Sequence, residues 1–339
     1  MSGTRERQEA GGARTRARAL ARRVTAAWAA AVALYLVLGP LTSDALPPVV
    51  VLGHFRPWLL LLAGPFLVAA LVQRRPWCAA ALAAGLGLGL VQHGRPLGQV
   101  LGLTGELGAG AAADLSVRTW NLGVDRADPD LLVEELRARG ADVVALQEWG
   151  DGHRAAIEAR LADLYPARVF RGEGRSSLAI LSRVAFEEVR WERPAEGKPW
   201  LAVVVAPGGR RVRVIDVHVS ALVAFLSRWW GDRAVLERIV AEVGDELPTV
   251  MMGDFNSAPA SGEYALVRGA GWTNAFEEVG RGFGFTWPVF GRWRGVPAPP
   301  MVRIDHVWTR GGLEPVSCTV GRQAGSDHHP LDAGLRFTR

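Results

Sequence analysis

Cysteine is nearly absent: two residues in 339, too few for the disulfide framework of a small secreted fold. Cys78 falls in an apolar run and Cys318 near the C-terminus, so the two say little about compartment. With 49% apolar and 22% charged residues, the chain lacks the composition of a disordered or collagen-like polymer, and it shows no internal repeat. Its first 113 residues contain no lysine and four acids (Glu6, Glu9, Asp44, Glu106) against 11 arginines, a balance of +7. The remaining 226 hold 28 basic and 30 acidic groups, or −2. The net charge of +5 therefore belongs to the front. The back lacks the basic excess of a broad nucleic-acid footprint.

The front also lacks charge over three long stretches: 20 residues from Val24 to Ser43, 17 from Pro57 to Gln73 and 19 from Pro76 to Gly94. A helix rises about 1.5 Å per residue and the hydrocarbon core is roughly 30 Å thick, so these lengths predict three transmembrane helices, the middle one barely sufficient. Pro65 sits inside that middle span, where a bundle tolerates it better than a lone soluble helix does.

Orientation follows from arginine. Seven (Arg5, Arg7, Arg14, Arg16, Arg18, Arg22, Arg23) precede the first span and Arg74-Arg75 form the second turn, whereas the first loop and the segment after the third span hold one each, Arg56 and Arg95. Positive charge stays cytoplasmic. Three crossings then place the C-terminal part outside the membrane. The expected organisation is a basic cytoplasmic tail over 1–23, a three-helix anchor over 24–94, a Gly/Ala-rich linker over 95–113 and a catalytic domain over 114–339.

Beyond the linker the pattern becomes α/β. Val117 to Trp120, Val143 to Leu146, Leu178 to Leu181, Leu201 to Val205, Val212 to Val219, Thr249 to Met252 and Arg303 to Trp308 read as strands, several of them the unbroken apolar runs of buried sheet. Pro129 to Arg139 and Arg233 to Val243 read as helices, the first opened by Asp128-Pro129.

Polar residues cluster where the strands end: Asn121 after Trp120, Gln147-Glu148 after Leu146, Asp216 and His218, Gly253-Asp254-Phe255-Asn256 after Met252, Asp305-His306, and Ser326-Asp327-His328-His329. Strand ends converging on one sheet edge are the usual place for an α/β active site. Singly, each residue is ordinary: Asp-x-Asn forms turns and a lone histidine is commonly satisfied in a core. Together, the carboxylates of Glu148, Asp254 and Asp327 and the amides of Asn121 and Asn256 are hard oxygen donors suited to Mg2+ or Mn2+ rather than a thiolate zinc cage. His218 and His328 can move protons near neutral pH, and Asp305 is the candidate to fix the His328 tautomer. Such a set describes hydrolysis of a phosphate ester by activated water.

The ordered set Trp120-Asn121, Gln147-Glu148, Asp216-Val217-His218, Gly253-Asp254-Phe255-Asn256, Ile304-Asp305-His306 and Ser326-Asp327-His328 resembles the endonuclease/exonuclease/phosphatase superfamily over Leu115 to the C-terminus. The resemblance implies a four-layer α/β/β/α sandwich of two mixed sheets, the DNase I-like fold, preceded here by the three transmembrane helices. It implies a metal bound by Glu148 with help from Asn121 and support from Asp327. Asp254 would orient or deprotonate the attacking water, Asn256 would hold a phosphate oxygen, His218 would contact the phosphoryl group, and His328 would pair with Asp305. Val217-His218-Val219 stands where the family often has Thr-His-Leu, and Trp120 where it often has Tyr; neither change removes a ligand. His306 and His329 are expected to be surface or supporting residues.

The expected activity is a membrane-anchored, metal-dependent phosphoesterase, with a nuclease of the same family or a silent tethered binding domain as alternatives. A transporter is disfavoured, since the spans carry no Asp, Glu, Lys or Arg and a single histidine, His93, near one end. Two segments bear on substrate. Val219 to Trp230 and Trp287 to Val296 mix aromatic residues with arginine, as loops at a lipid headgroup layer do, and would favour a phospholipid-like ester. Alternatively Leu222, Phe225 and Trp229 form one buried helical face. Arg171, Arg175, Arg292 and Arg294 could line a local groove for nucleic acid. No protein partner is inferred.

Overall fold

A computed structural model describes residues 2–42, 46–103, 112–124, 126–195, 197–220, 229–289, 291–293, 296–322 and 324–338. The chain divides into two compact units, residues 1–98 and 99–339; part of the expected linker, 104–111, lies outside the described residues.

The N-terminal unit is helical because alanine, leucine and arginine, all strong helix formers, dominate it. It comprises α1 (Ser2–Thr42), α2 (Pro47–His54), α3 (Arg56–Leu61), α4 (Ala63–Val72) and α5 (Pro76–Val100). Two described helices are long and apolar enough to cross a membrane, Gly11–Leu41 and Pro76–Val100. The middle expected span, Pro57 to Gln73, does not form a single helix of spanning length. Residues 56–72 form two short helices that reset at Phe55 and Leu62, because Pro57 and Pro65 lack the N–H that would continue the ladder. Seventeen residues at about 1.5 Å each also fall short of roughly 30 Å. Near the break, the Trp28 indole donates to the Leu59 carbonyl at 3.1 Å. Ala29, Val32 and Tyr35 of α1 pack with Leu59, Leu60, Ala63, Ala70, Ala79 and Leu82. At the lower end of this bundle, Gln73 Nε2 donates to Thr25 Oγ1 at 3.3 Å and Arg75 to the Arg22 carbonyl at 3.2 Å.

The second unit has two six-stranded mixed sheets. The first contains β1 (Leu115–Val124), β2 (Val143–Trp149), β3 (Ala167–Arg171), β4 (Leu178–Ser182), β13 (Leu313–Val320) and β14 (Leu331–Phe337), in the order β13-β14-β1-β2-β4-β3. The second contains β5 (Phe186–Glu192), β6 (Trp200–Val205), β7 (Val212–His218), β8 (Thr249–Asp254), β9 (Thr273–Asn274) and β12 (Asp305–Arg310), in the order β5-β6-β7-β8-β12-β9. A short ribbon pairs β10 (Gly291–Trp293) with β11 (Val296–Ala298). β1 runs parallel to β2 and β7 parallel to β8; β12 runs antiparallel to β8.

The central strands of each sheet are buried on both faces, which explains the unbroken apolar runs. Between the sheets lie Leu115, Val117, Val143, Ala145, Leu201, Val203, Val212, Val214, Val250, Met252 and Val307. α6 (Pro129–Arg139) and α7 (Asp151–Arg160) cover the outer face of the first sheet, Leu132, Leu136 and Ile157 packing on Trp120, Val144 and Leu146. α8 (Trp229–Glu242) and α9 (Gly262–Gly269) cover the second, with Leu236, Ile239 and Val267 against Ile215, Val217 and Met251. A last short helix, α10 (Ala275–Val279), follows β9. The layers are thus α/β/β/α. α6 begins as its sequence dictates: the Asp128 carboxylate accepts from the backbone N–H of Asp130 and Leu131, and Pro129 occupies the first turn.

Candidate active site

Strand alternation decides where the polar residues meet. Successive side chains on a strand point to opposite faces. Leu115, Val117, Thr119 and Asn121 therefore share a face of β1; Val143, Ala145 and Gln147 share one on β2; Val212, Val214, Asp216 and His218 on β7; Val250, Met252 and Asp254 on β8. The apolar members belong to the inter-sheet core, so the polar members extend the same face at one end of the sandwich. Asp305 opens the antiparallel β12 directly opposite Asp254, which brings it to that end too.

Glu148 breaks the alternation. A regular strand would send it to the helix side with Val144 and Leu146. Its φ of 52° lies in the left-handed region that costs a non-glycine residue stability, and its Oε1 comes 3.6 Å from His218 Nε2 on the opposite sheet. Gly253 has the opposite requirement. A Cβ there would lie 1.9 Å from the Val217 carbonyl, so only glycine lets β7 and β8 approach.

Asp254 is the hub. Its Oδ1 accepts from the Asn256 backbone N–H at 2.8 Å, and its Oδ2 from Asn121 Nδ2 at 2.9 Å and Asn256 Nδ2 at 3.0 Å. His218 Nε2 lies 3.6 Å and His328 Nε2 3.9 Å from the same Oδ2. Asn256 Nδ2 also donates to the Val219 carbonyl at 2.8 Å. His328 Nδ1 meets Asp305 Oδ2 at 2.9 Å. The loop carrying His328 is tied to β1: Ser326 Oγ donates to the Asn121 carbonyl, the His328 N–H donates to that Oγ, and Trp120 Nε1 donates to the His328 carbonyl.

Burial and neighbouring charge push these groups apart in pKa. Burial raises the Asp254 carboxyl to about 7; His328 opposes the rise and Asp305 reinforces it. For His328, burial disfavours the imidazolium, yet Asp305 and Asp254 outweigh it and hold its pKa at about 9. His218 moves the other way: burial drives its pKa well below the ordinary range, helped by Lys198 and His328. Burial raises Asp216 well above the usual carboxylate range, against the hydrogen bond from Gln147.

Seven of the eight residues expected from the sequence, namely Asn121, Glu148, His218, Asp254, Asn256, Asp305 and His328, are linked through these contacts. Asp327 stands at the rim: its Oδ2 accepts from Arg126 at 2.8 Å, and its Oδ1 is so close to Gly123 that a Cβ there would lie 2.8 Å away. His306 does not join them. It is a core residue, its Nε2 meeting the Ser257 carbonyl at 2.8 Å among Phe255 and Tyr264, and burial lowers its pKa to about 3. The His329 N–H donates to the Thr286 carbonyl. Lys198, the one lysine in the sequence, adds a positive charge that lowers the His218 pKa, and no motif marks it. Most of Val219 to Trp230, and Phe290, Arg294 and Gly295 of Trp287 to Val296, lie outside the described residues, and the side chains of Trp229, Trp230 and Arg292 are not described.

The donor set fits a hard divalent cation. Asp254, Asp305 and His328 offer ligand atoms within 4.8 Å of one another, and Asp305 Oδ1 is buried with no hydrogen-bond partner among the described residues. However, Asp254 Oδ2 and His328 Nδ1 are already committed to hydrogen bonds, whereas Glu148 faces His218 only at 3.6 Å. Asn121 Oδ1 accepts one bond, from the Gly123 N–H at 2.9 Å, and retains a second lone pair.

A family model described as the endonuclease/exonuclease/phosphatase family matches residues 119–328. No curated protein matches the sequence. Among solved structures, an endonuclease/exonuclease/phosphatase from Beutenbergia cavernae is 23% identical with a TM-score of 0.55, covering 66% of this chain and 71% of that one. TDP2 of D. rerio complexed with a single-strand DNA product is 20% identical, with a TM-score of 0.54 and coverage of 66% and 99%. A 3' phosphatase from Neisseria bound to product DNA hairpin is 18% identical, with a TM-score of 0.52 and coverage of 66% and 100%. At these identities the likeness is one of fold.

Proposed function

The chain belongs to the endonuclease/exonuclease/phosphatase family, and from that premise we propose that it is a divalent-metal-dependent phosphodiester hydrolase tethered to a membrane by its N-terminal helices. The observation carrying the reading is the buried Asp254–Asp305–His328 cluster, with Glu148 and His218 beside it, at the polar end of an otherwise apolar inter-sheet face.

Glu148 and Asn121 would hold Mg2+ or Mn2+, with Asp327 supporting from the rim. Bound there, the cation would supply charge neutralisation on the phosphate and a lowered pKa for water. The protein's own groups do the rest. Asp254 is oriented through both oxygens, and a pKa near 7 suits it to take the proton of an attacking water. His328, kept protonated at neutral pH by Asp305, donates from Nε2 to a phosphoryl oxygen. His218, neutral at that pH, contributes its Nε2 side to the same phosphoryl group, and Asn256 orients Asp254 through its backbone and side-chain N–H groups. Water adds to phosphorus as its proton passes to Asp254, the P–O bond to the leaving alcohol breaks, and the alcohol oxygen takes a proton from the His328 imidazolium.

The anchor reading is supported by apolar length in α1 and α5 and by Arg75 meeting the Arg22 carbonyl. That contact brings the start of α5 to the start of the apolar part of α1, so α2–α4 return the chain between them. With the arginines at that end inside, the catalytic domain is outside.

The test is turnover by the detergent-solubilised full chain with Mg2+ on plasmid DNA, RNA, sphingomyelin, inositol phosphates and bis-(nitrophenyl) phosphate. Hydrolysis of at least one, abolished by EDTA and reduced 10²-fold or more by Glu148→Gln or His328→Ala, is expected. Absence of turnover on all five, or turnover indifferent to EDTA, overturns the reading. DNA or RNA as the preferred substrate would assign a nuclease.

A further inference from the structure

Three buried polar residues beneath the site take no part in the chemistry above. Gln147 Nε2 donates to Asp216 Oδ1 at 2.6 Å and to Thr119 Oγ1 at 3.0 Å, and all three residues have no exposed surface. They interrupt the apolar face between the sheets. A buried carboxyl–amide pair stabilises a core no better than apolar side chains of the same volume and commonly worse, so packing alone gives no reason for it.

Position gives one. Thr119 precedes Asn121 by two residues on β1, Gln147 precedes Glu148 by one on β2, and Asp216 precedes His218 by two on β7. β1 and β2 belong to one sheet and β7 to the other, so the Gln147–Asp216 bond crosses between sheets just below the 3.6 Å approach of Glu148 to His218. Apolar packing is non-directional, whereas a hydrogen bond fixes both distance and angle. Glu148 needs such a fix, since its left-handed backbone would relax if the preceding residue were free to slide.

We propose that the Thr119–Gln147–Asp216 bridge is a positioning device: it sets the spacing of the two sheets at the site, so that Glu148 and Asn121 on one face His218 and Asp254 on the other. None of the three touches substrate. The inference rests on the proposed function, in which those four residues act on one phosphate and one cation.

The double variant Gln147→Met/Asp216→Leu, in the full chain, removes both partners at once, and replacing both sides of a buried hydrogen bond by apolar groups is close to neutral for folding. The expected result is a Tm within a few degrees of the native protein, kcat lowered about 10- to 100-fold with KM nearly unchanged, and a weaker rise in Tm on adding Mn2+. Asp216→Asn keeps the acceptor for Gln147 and should restore kcat to within about threefold. A double variant with native Tm, native kcat and a native Mn2+ response overturns the bridge. If the double variant does not fold, Thr119→Val decides: unchanged kcat and Mn2+ response at unchanged Tm overturn the bridge, and a loss of both supports it. The Mn2+ response separates the two readings. Native protein that responds to Mn2+ without hydrolysing any phosphoester sinks the enzymatic reading while the variants still test the bridge; native protein with neither response nor turnover sinks both.

Discussion

His328 and Asp254 are two site residues whose protonation the fold sets, and they make metal-free stability depend on pH in a stated direction. His328 is held at about 9 by Asp305 and Asp254 against the cost of burial. Between its ordinary value of 6.5 and about 9 the folded protein binds more proton than the unfolded chain, so stability falls as pH rises. The contribution is fully present below 6.5 and lost through 9, and that span corresponds to on the order of 3 kcal/mol. Asp254, raised to about 7 by burial, acts in the same sense at lower pH: its carboxyl favours the folded state below about 4, and that preference is gone by about 7. Urea unfolding of the EDTA-treated chain should therefore show its midpoint dropping from pH 6.5 to 9, and His328→Gln should flatten that limb. A midpoint rising over the same interval would contradict the assigned His328–Asp305 pairing.

At the scale of elements, the Gly253 position joins the fold to the site. β7 and β8 are parallel neighbours with Val217 paired to Gly253, and a methyl at Gly253 would sit on the Val217 carbonyl. Gly253→Ala should destabilise the catalytic domain by about 3 kcal/mol or more, lowering the urea midpoint and displacing Asp254 and His218 together; a variant of native stability would show that the strands can part without cost. This contact also shows what the sequence can and cannot announce. The runs Val212 to Val219 and Thr249 to Met252 declare buried strands because both faces are covered, and Asp128-Pro129 declares a helix start because the cap is local. β5 is mostly exposed, with Glu187, Glu188 and Arg190 on its surface, so no apolar run betrays it. β14 is interrupted by Gly334 and Arg336, and α7 buries His153 as the partner of the Gly150 N–H and the Ala127 carbonyl, a use of histidine that periodicity does not reveal. The polar strand ends are legible as a set because they continue apolar faces at period two. The turning of Glu148 onto the inter-sheet side depends on a backbone dihedral, and nothing in Gln147-Glu148-Trp149 encodes it visibly. The Asp216–Gln147 bond, which joins two sheets, is likewise invisible before the strands are paired.

At the scale of the whole molecule, the proposed anchor makes the side of the membrane on which the catalytic unit works depend on the middle of the N-terminal bundle. Two long helices alone would return the chain to the side on which it began. Three passes need α2–α4 to cross, broken as they are at Phe55 and Leu62. A broken helix is tolerated at membrane depth only where protein covers the interruption, and here the Trp28 indole reaches the Leu59 carbonyl while Leu59, Leu60 and Ala63 are buried against α1 and α5. The hydrogen bonds from Gln73 to Thr25 and from Arg75 to the Arg22 carbonyl put both arginine pairs, Arg22-Arg23 and Arg74-Arg75, at one end of the bundle, as the proposed three-pass anchor requires. The expected outcome in intact cells is that an epitope after Arg339 is reached by antibody and protease without permeabilisation, while one before Met1 is reached only after detergent. Trp28→Phe, which removes the indole N–H and keeps the ring, should leave that pattern in place but lower the detergent-resistant stability of the anchor. Protection of the C-terminal epitope together with the N-terminal one would mean that α2–α4 do not cross, and would move the catalytic unit, with whatever phosphoester it cleaves, to the cytoplasmic side.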